Sequence, residues 1–374
     1  MGRRTRRRRR AGSDLTVLRT ARLAVLKTFS AVGLDDAAPL MRWRQQRLLI
    51  LGYHGISLDD EHCWDAELYM PGSVLRRRLE LIREAGCRVL ALDEAVRRMY
   101  AGDLPPRSVV LTFDDGTYDF YARAFPIVES FGYPVTVYFT TYYAEFNRPV
   151  YDVTISYLLW KGRDRVLRWP EVLGPSAEFV LTDEGRRLVK ERLNRFPLEH
   201  GLTARDKDAM LGRLATLLGV DYDDILKRRL LHLMSLSEAR ELAARGVDLQ
   251  LHTHRHRVSF DESVFDREIV DNRARLRPLR ESEPTHFCYP GGVNRPEFLP
   301  WLRGSNIASA TTCEPGIASR RHDRLLLPRY IDTAGHTEAE FRAWLTGVAA
   351  LLPRRRQAET VGQFLEAPVA PRAG

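Results

Sequence analysis

The sequence predicts an α/β fold, a distorted (β/α) barrel of seven or eight units with a helical insertion in one loop. Three observations predict it. Short runs that are apolar throughout alternate with helical patterns, which is the signature of a parallel sheet covered by helices. Those runs are rich in Val, Leu and Ile, as strands buried on both faces require. Two adjacent carboxylates, Asp114 and Asp115, stand at the end of one run, where a barrel carries its chemistry.

In chain order, residues 1–45 read as a basic tail followed by one amphipathic helix. Seven arginines fall within the first ten residues; without them the net charge of +9 drops to +2. The globular part is therefore nearly neutral, and its charge points to no nucleic-acid partner. The tail itself offers a membrane-surface contact. Residues 46–350 read as the barrel, with strands over 47–53, 87–92, 108–113, 135–139, 247–251, 285–289, 307–311 and 327–331. Ser235 and Glu238 have capping-box spacing ahead of a helix, and Gly246 sits where a left-handed residue ends it. Thr337 and Glu340 repeat the box before Phe341, Trp344, Leu345 and Val348, which share one helical face.

One segment breaks the rhythm. Residues 150–234 hold no strand pattern, while Met210, Leu211, Leu214, Leu217 and Leu218 recur at helical spacing after Thr203. This predicts a helical insertion on the active-site side, with the leucines in a core. Residues 351–374 turn polar and rich in Pro and Arg and read as a flexible tail. The four cysteines lack metal-type pairing and read as reduced thiols rather than a disulfide framework. No run of 18 apolar residues occurs and no export signal is visible, so the expected location is cytoplasmic by default. The sequence sets no oligomeric state.

The chemistry is concentrated in two places. Adjacent Asp114 and Asp115 repel each other, and burial penalises both. A cation resolves the conflict, leaving one Asp as ligand and the other as base. The second place is Leu251-His252-Thr253-His254-Arg255-His256, directly after a strand. If the chain turns helically there, His252 and His256 project from one face and suit one metal ion, leaving His254 for a supporting contact. One Asp and two His leave positions open for water and substrate. That donor set suits Zn2+, with Co2+, Ni2+ or Fe2+ as alternatives. Tyr142 and Tyr143 belong to an aromatic stretch near the expected barrel mouth, where rings can stack on sugar faces.

Thr112-Phe113-Asp114-Asp115-Gly116 and His252-Thr253-x-x-His256 resemble the first two signatures of the polysaccharide deacetylases, carbohydrate esterase family 4, also called the NodB-homology family. Phe287-Cys288-Tyr289-Pro290-Gly291 resembles the third, in the variant of the poly-N-acetylglucosamine deacetylases. The resemblance spans about residues 46–350, with the insertion unmatched. It implies a NodB-type barrel and metal-dependent removal of N-acetyl groups from an amino sugar in a polysaccharide, oligosaccharide or lipid-linked glycan. It implies Asp115, His252 and His256 as metal ligands, Asp114 as general base and His54, of Tyr53-His54, as acid. Gly291 is the candidate oxyanion donor, and Tyr289 beside it a candidate substrate contact. The sequence departs from the family pattern in three places. Arg257 replaces the Pro that usually follows the second metal histidine, the usual Leu-x-His phrase is missing, and Cys288 stands where an arginine often orients the base. Arg329 is the candidate to anchor Asp114 instead. Two other readings stand beside this one: an O-acetyl esterase or other amidase on the same barrel, and a degenerate glycan-binding module.

Overall fold

The structure, a computed structural model, describes residues 42–351. The basic tail, most of the helix expected before residue 46, and the tail expected after residue 351 lie outside the described residues. In chain order the strands are β1 Leu49–Tyr53, β2 Gly55–Ile56, β3 Tyr69–Met70, β4 Arg88–Val89, β5 Ser108–Phe113, β6 Thr136–Phe139, β7 Val166–Arg168, β8 Glu178–Val180, β9 Asp248–Leu251, β10 His286–Cys288, β11 Ser309–Pro315 and β12 Leu327–Ile331.

Seven of these, β1, β12, β11, β10, β9, β6 and β5, close a parallel ring, because β1 pairs with β12 on one edge and β5 on the other. The run read over 87–92 does not supply an eighth stave. Only β4 forms there, since Leu92 already opens the next helix. β4 shares one edge of β5 with β6: it meets Ser108 and Val109, whereas β6 meets Thr112 and Phe113.

Side chains alternate across the ring with period two. Leu49, Leu51, Val109, Leu111, Val137 and Phe139 face outward into the core beneath the helices. Ile50, Val110, Tyr138, Cys288 and Leu327 form a separate cluster inside the ring. Continuing the inward rows past the strand ends gives His54, Asp114 and His252, all at the carboxyl end. The weakest seam is β9–β10, with one paired residue, Phe287 with Leu251. The buried Gln250 side chain compensates by accepting from the Thr285 and His286 N–H groups at 3.1 and 2.9 Å.

Both expected capping boxes form, at Ser235/Glu238 and Thr337/Glu340, and Gly246 takes φ +88°. Within residues 150–234 the chain makes four longer helices, Tyr151–Lys161, Asp183–Glu199, Ala204–Leu218 and Tyr222–Arg228. They close a second core in which Leu211, Leu214 and Leu218 are buried. This segment is not free of strands, as its sequence suggests: β7 and β8 form an antiparallel pair. Each strand has three residues, and only Leu167 is fully buried while Val166 and Val180 are exposed. So short an alternation, flanked by the charged Arg168 and Glu178 (2.7 Å apart), gives no periodicity to read. The insertion is tied to the barrel mouth, where Met234 N–H donates to the Gly116 carbonyl and Tyr118 N–H to that of His232. No described helix is long and apolar enough to cross a membrane.

Candidate active site

Two loops at the carboxyl end of the ring make the site. The first follows β5. Asp114 extends the inward row of Val110 and Thr112, and its N–H donates to the Tyr53 carbonyl of β1. Asp115 takes φ +68° and Gly116 φ +77°. A Cβ on Gly116 would lie 2.1 Å from the Phe139 ring, so glycine is required there both by backbone and by space. The second loop, 252–257, follows β9. It does not turn helically, because Thr253 and His256 both take positive φ (+59° and +57°). The expected convergence of His252 and His256 is reached by that irregular backbone instead. Strained left-handed residues in both site loops fit a functional constraint.

Asp115, His252 and His256 converge. Asp115 Oδ1 lies 3.3 Å from His252 Nε2 and 3.1 Å from His256 Nε2. Ligands about 2.0–2.1 Å from a tetrahedral ion stand about 3.3 Å apart, so these separations match the edge of such a site. Asp115 Oδ1 is buried and has no hydrogen-bond partner. His252 Nδ1 is 2.8 Å from the Cys288 carbonyl, which fixes the proton on Nδ1 and turns the Nε2 lone pair toward Asp115. The residues present therefore fit a divalent ion. Burial opposes the charge of Asp115, but His256 and His252 hold its carboxyl well below the usual carboxylate range. Burial likewise works against a charged His256, and the Asp115 carboxylate overrides it and raises the imidazole.

A second group, Asp114, His252 and Cys288, is also close enough to share an ion. Charge decides against it. The Arg329 guanidinium sits 3.0 Å from Cys288 Sγ, and burial pushes that thiol far above its usual range. A thiol beside a fixed cation and held protonated is a poor ligand.

Arg329 grips Asp114 with both carboxylate oxygens, Nη1 to Oδ1 at 2.8 Å and Nη2 to Oδ2 at 2.7 Å. Its remaining donors go to Thr112 Oγ1 and the Thr312 carbonyl. Arg329 is on β12, with β1 between it and β5. It crosses beside Gly52, where a Cβ would touch the guanidinium at 3.4 Å and clash with Ile331 at 2.4 Å. Burial alone would raise Asp114, but the Arg329 charge and hydrogen bonds hold it below the ordinary value. His54 Nε2 stands 3.7 Å from Asp114 Oδ2. Gly291, at φ +58°, lies in the turn after β10.

Other candidates fall elsewhere. Tyr289 is fully buried with its hydroxyl on the Leu325 carbonyl at 2.9 Å, so its ring is core and touches no substrate. His254 points away from the ion ligands, to Thr141 Oγ1 at 2.9 Å, with its ring against Tyr142. Tyr142 and Tyr143 line a neighbouring cavity. Sequence reading missed the residues that hold the second loop. Glu268 accepts from Arg255 N–H and guanidinium, both at 2.7 Å. Asn272 accepts from His252 N–H at 2.9 Å and donates to the Phe139 carbonyl and Thr141 Oγ1. It missed Asp119 too, a buried carboxyl that accepts from Ile56 N–H at 2.7 Å and Thr117 Oγ1 at 2.9 Å and is pushed up to about 7 by burial.

Residues 101–172 match the family model for polysaccharide deacetylase. That span is narrower than the 46–350 the motifs suggest; it holds Asp114 and Asp115, ends before His252, and enters the insertion expected to be unmatched. Over 94 residues the chain is 32% identical to the poly-beta-1,6-N-acetyl-D-glucosamine N-deacetylase of Escherichia coli (strain K12). The protein of that name from Escherichia coli O157:H7 matches to the same extent. The match takes in 25% of this chain and only 14% of the relative's length. The solved Streptococcus pyogenes deacetylase PplD, in complex with acetate, has a TM-score of 0.52 at 18% identity, covering 82% of this chain and 99% of that one. At that identity the likeness shows a shared fold. Motif, family-model match and fold make this chain similar to the polysaccharide deacetylases, with the family model matched over residues 101–172.

Proposed function

We propose that this chain is a metal-dependent hydrolase that removes N-acetyl groups from an amino sugar within a glycan. The observation that supports it most is the pairing of two distinct carboxylates one residue apart. Asp115 faces two imidazoles at ion-ligand separations, whereas Asp114 is held by an arginine and faces a third imidazole. The curated relatives are named for the same bond cleavage.

Asp115, His252 and His256 would hold the ion, and Zn2+ suits the donor set. Such an ion supplies Lewis acidity, polarising the acetamide carbonyl and bringing water's pKa toward neutrality. The chain's own residues do the rest. Asp114, kept ionised by Arg329, accepts the proton of the attacking water. His54, across from it, donates a proton to the sugar nitrogen as the C–N bond breaks. The Gly291 N–H, in a turn without a Cβ to block approach, is the donor for the developing oxyanion. Acetate and a free amine leave.

The test is acetate release from N-acetylglucosamine oligomers by zinc-loaded protein. Asp114→Asn should cut the rate by at least about a hundredfold. Equal release by wild type and that variant would reject the assignment, and release from O-acetylated but not N-acetylated sugars would favour an esterase.

A further inference from the structure

We propose that the cavity beside the metal ligands binds an anionic group of the glycan, so that the substrate carries an acidic substituent next to the sugar that loses its acetyl group. This rests on the deacetylase reading and names the substrate class for it. The cavity measures about 500 Å³ and lies where the loop after β6 meets the insertion. Tyr142, Tyr143 and Tyr151 line it, as do Arg148, Lys207 and Asp208. It adjoins the loop that carries His252 and His256. Tyr142 N–H donates to the His254 carbonyl at 2.8 Å, two residues from His256. Asp152, beside Tyr151, acts on both His256 and Tyr143.

Arg148, Arg205, Lys207 and Arg257 outnumber Asp152 and Asp208 in and beside this wall. Asp208 is already committed to Arg148 at 3.1 Å and to the Tyr222 hydroxyl at 2.7 Å. Asp206, in the same turn, is turned to Thr203 in a capping box. Lys207 has no ion pair among the described residues; its ammonium sits 6.0 Å from the Tyr151 ring centre. Arg257, directly after His256, likewise has none, and uses its backbone N–H on Thr253 Oγ1. Lys207 lines the cavity, and Arg257 lies close enough for its charge to act on it. Burial lowers the Lys207 ammonium, and the Arg257 charge lowers it further. An anion in the cavity beside Lys207 relieves both costs. The tyrosine rings supply the apolar face on which a sugar stacks, and the cations select which sugar.

A carboxylate from a uronic acid and a phosphate linking sugars have the same attraction for this pair, and the experiment separates them. Three oligomers of equal length would be titrated calorimetrically into the zinc-loaded full chain: neutral N-acetylglucosamine, N-acetylglucosamine alternating with glucuronate, and N-acetylglucosamine carrying a phosphodiester. One or both acidic oligomers should bind about tenfold tighter than the neutral one at low salt, with the gap closing as salt rises. Lys207→Glu should erase the gap and Lys207→Arg should keep it, which a merely structural role for Lys207 would not produce. Equal affinity for neutral and acidic oligomers, or a gap that survives Lys207→Glu, overturns the proposal. Acetate release from the same oligomers reports on the reaction separately. A preference without release supports the subsite and rejects the deacetylase reading; release without preference does the reverse.

Discussion

At the scale of single residues, the pair Asp114–Arg329 carries the largest stake. Both side chains are buried, at 2% and 0% exposure, and joined by two short charge-assisted hydrogen bonds. Removing either partner strands a charge in the interior, which costs about 3–5 kcal/mol. Arg329→Leu should therefore lower the urea midpoint sharply, whereas the double change Arg329→Leu with Asp114→Leu should recover much of the loss. The pH dependence follows from the direction of the shift. Arg329 holds folded Asp114 below the value of a free Asp, about 3.9. The pair's contribution is thus complete above about pH 4 and is lost as pH falls through the folded value. Urea titrations should show the gap between wild type and Asp114→Asn narrowing only in strong acid; a gap that narrowed between pH 8 and 6 would contradict the pairing. Arg329 was readable as a candidate because the usual arginine of the third signature is missing. Its path was not, because nothing in the sequence says that it reaches past Gly52 from the far side of β1.

At the scale of elements, the loop after β9 is held from behind by the helix Glu262–Leu276. Phe265, Ile269 and Leu276 form its buried stripe, and Glu268 and Asn272 are buried with them. Those two positions, three and seven residues after Phe265, are where apolar side chains would normally stand. Buried Glu and Asn must find partners, and here the partners are the backbone and side chains of the loop after β9. That was the available signal: polar residues on an otherwise apolar stripe, which is easily taken for an irregular surface helix. Supporting residues of this kind typically change metal affinity about 10–100-fold. Glu268→Ala should weaken zinc binding by a factor in that range while leaving the far-UV circular dichroism unchanged. An unaltered zinc affinity would show that Thr253 and His256 keep their left-handed conformations without it. The histidines themselves were legible because imidazole is rare and three fall within five residues. The way they converge was not, because four-residue spacing suggests a helical turn, and a turn with two positive φ values leaves no mark on residue type.

At the scale of the whole molecule, the barrel was legible because most staves carry a short apolar run, and the order of runs is the order of strands. The antiparallel pair β7–β8 was not, since it buries only one side of three residues. The same architecture sets what metal should do to stability. Asp115 comes from the end of β5 and the two histidines from the loop after β9; β6 lies between them in the ring, and the whole insertion lies between them in the chain. An ion held by all three joins segments that unfolding separates, so it binds the native state and not the unfolded one. Linkage then gives about 2.7 kcal/mol of added stability when free zinc exceeds its dissociation constant about a hundredfold. Thermal unfolding of the wild-type chain should shift upward by several degrees with zinc and return with chelator. His256→Ala, which removes a proposed ligand from the outer loop without touching the inward rows of the barrel, should unfold at the same temperature with and without zinc. A shift of equal size in that variant would mean that the stabilising ion sits elsewhere, and that Asp115 meets His252 and His256 only as an ion pair.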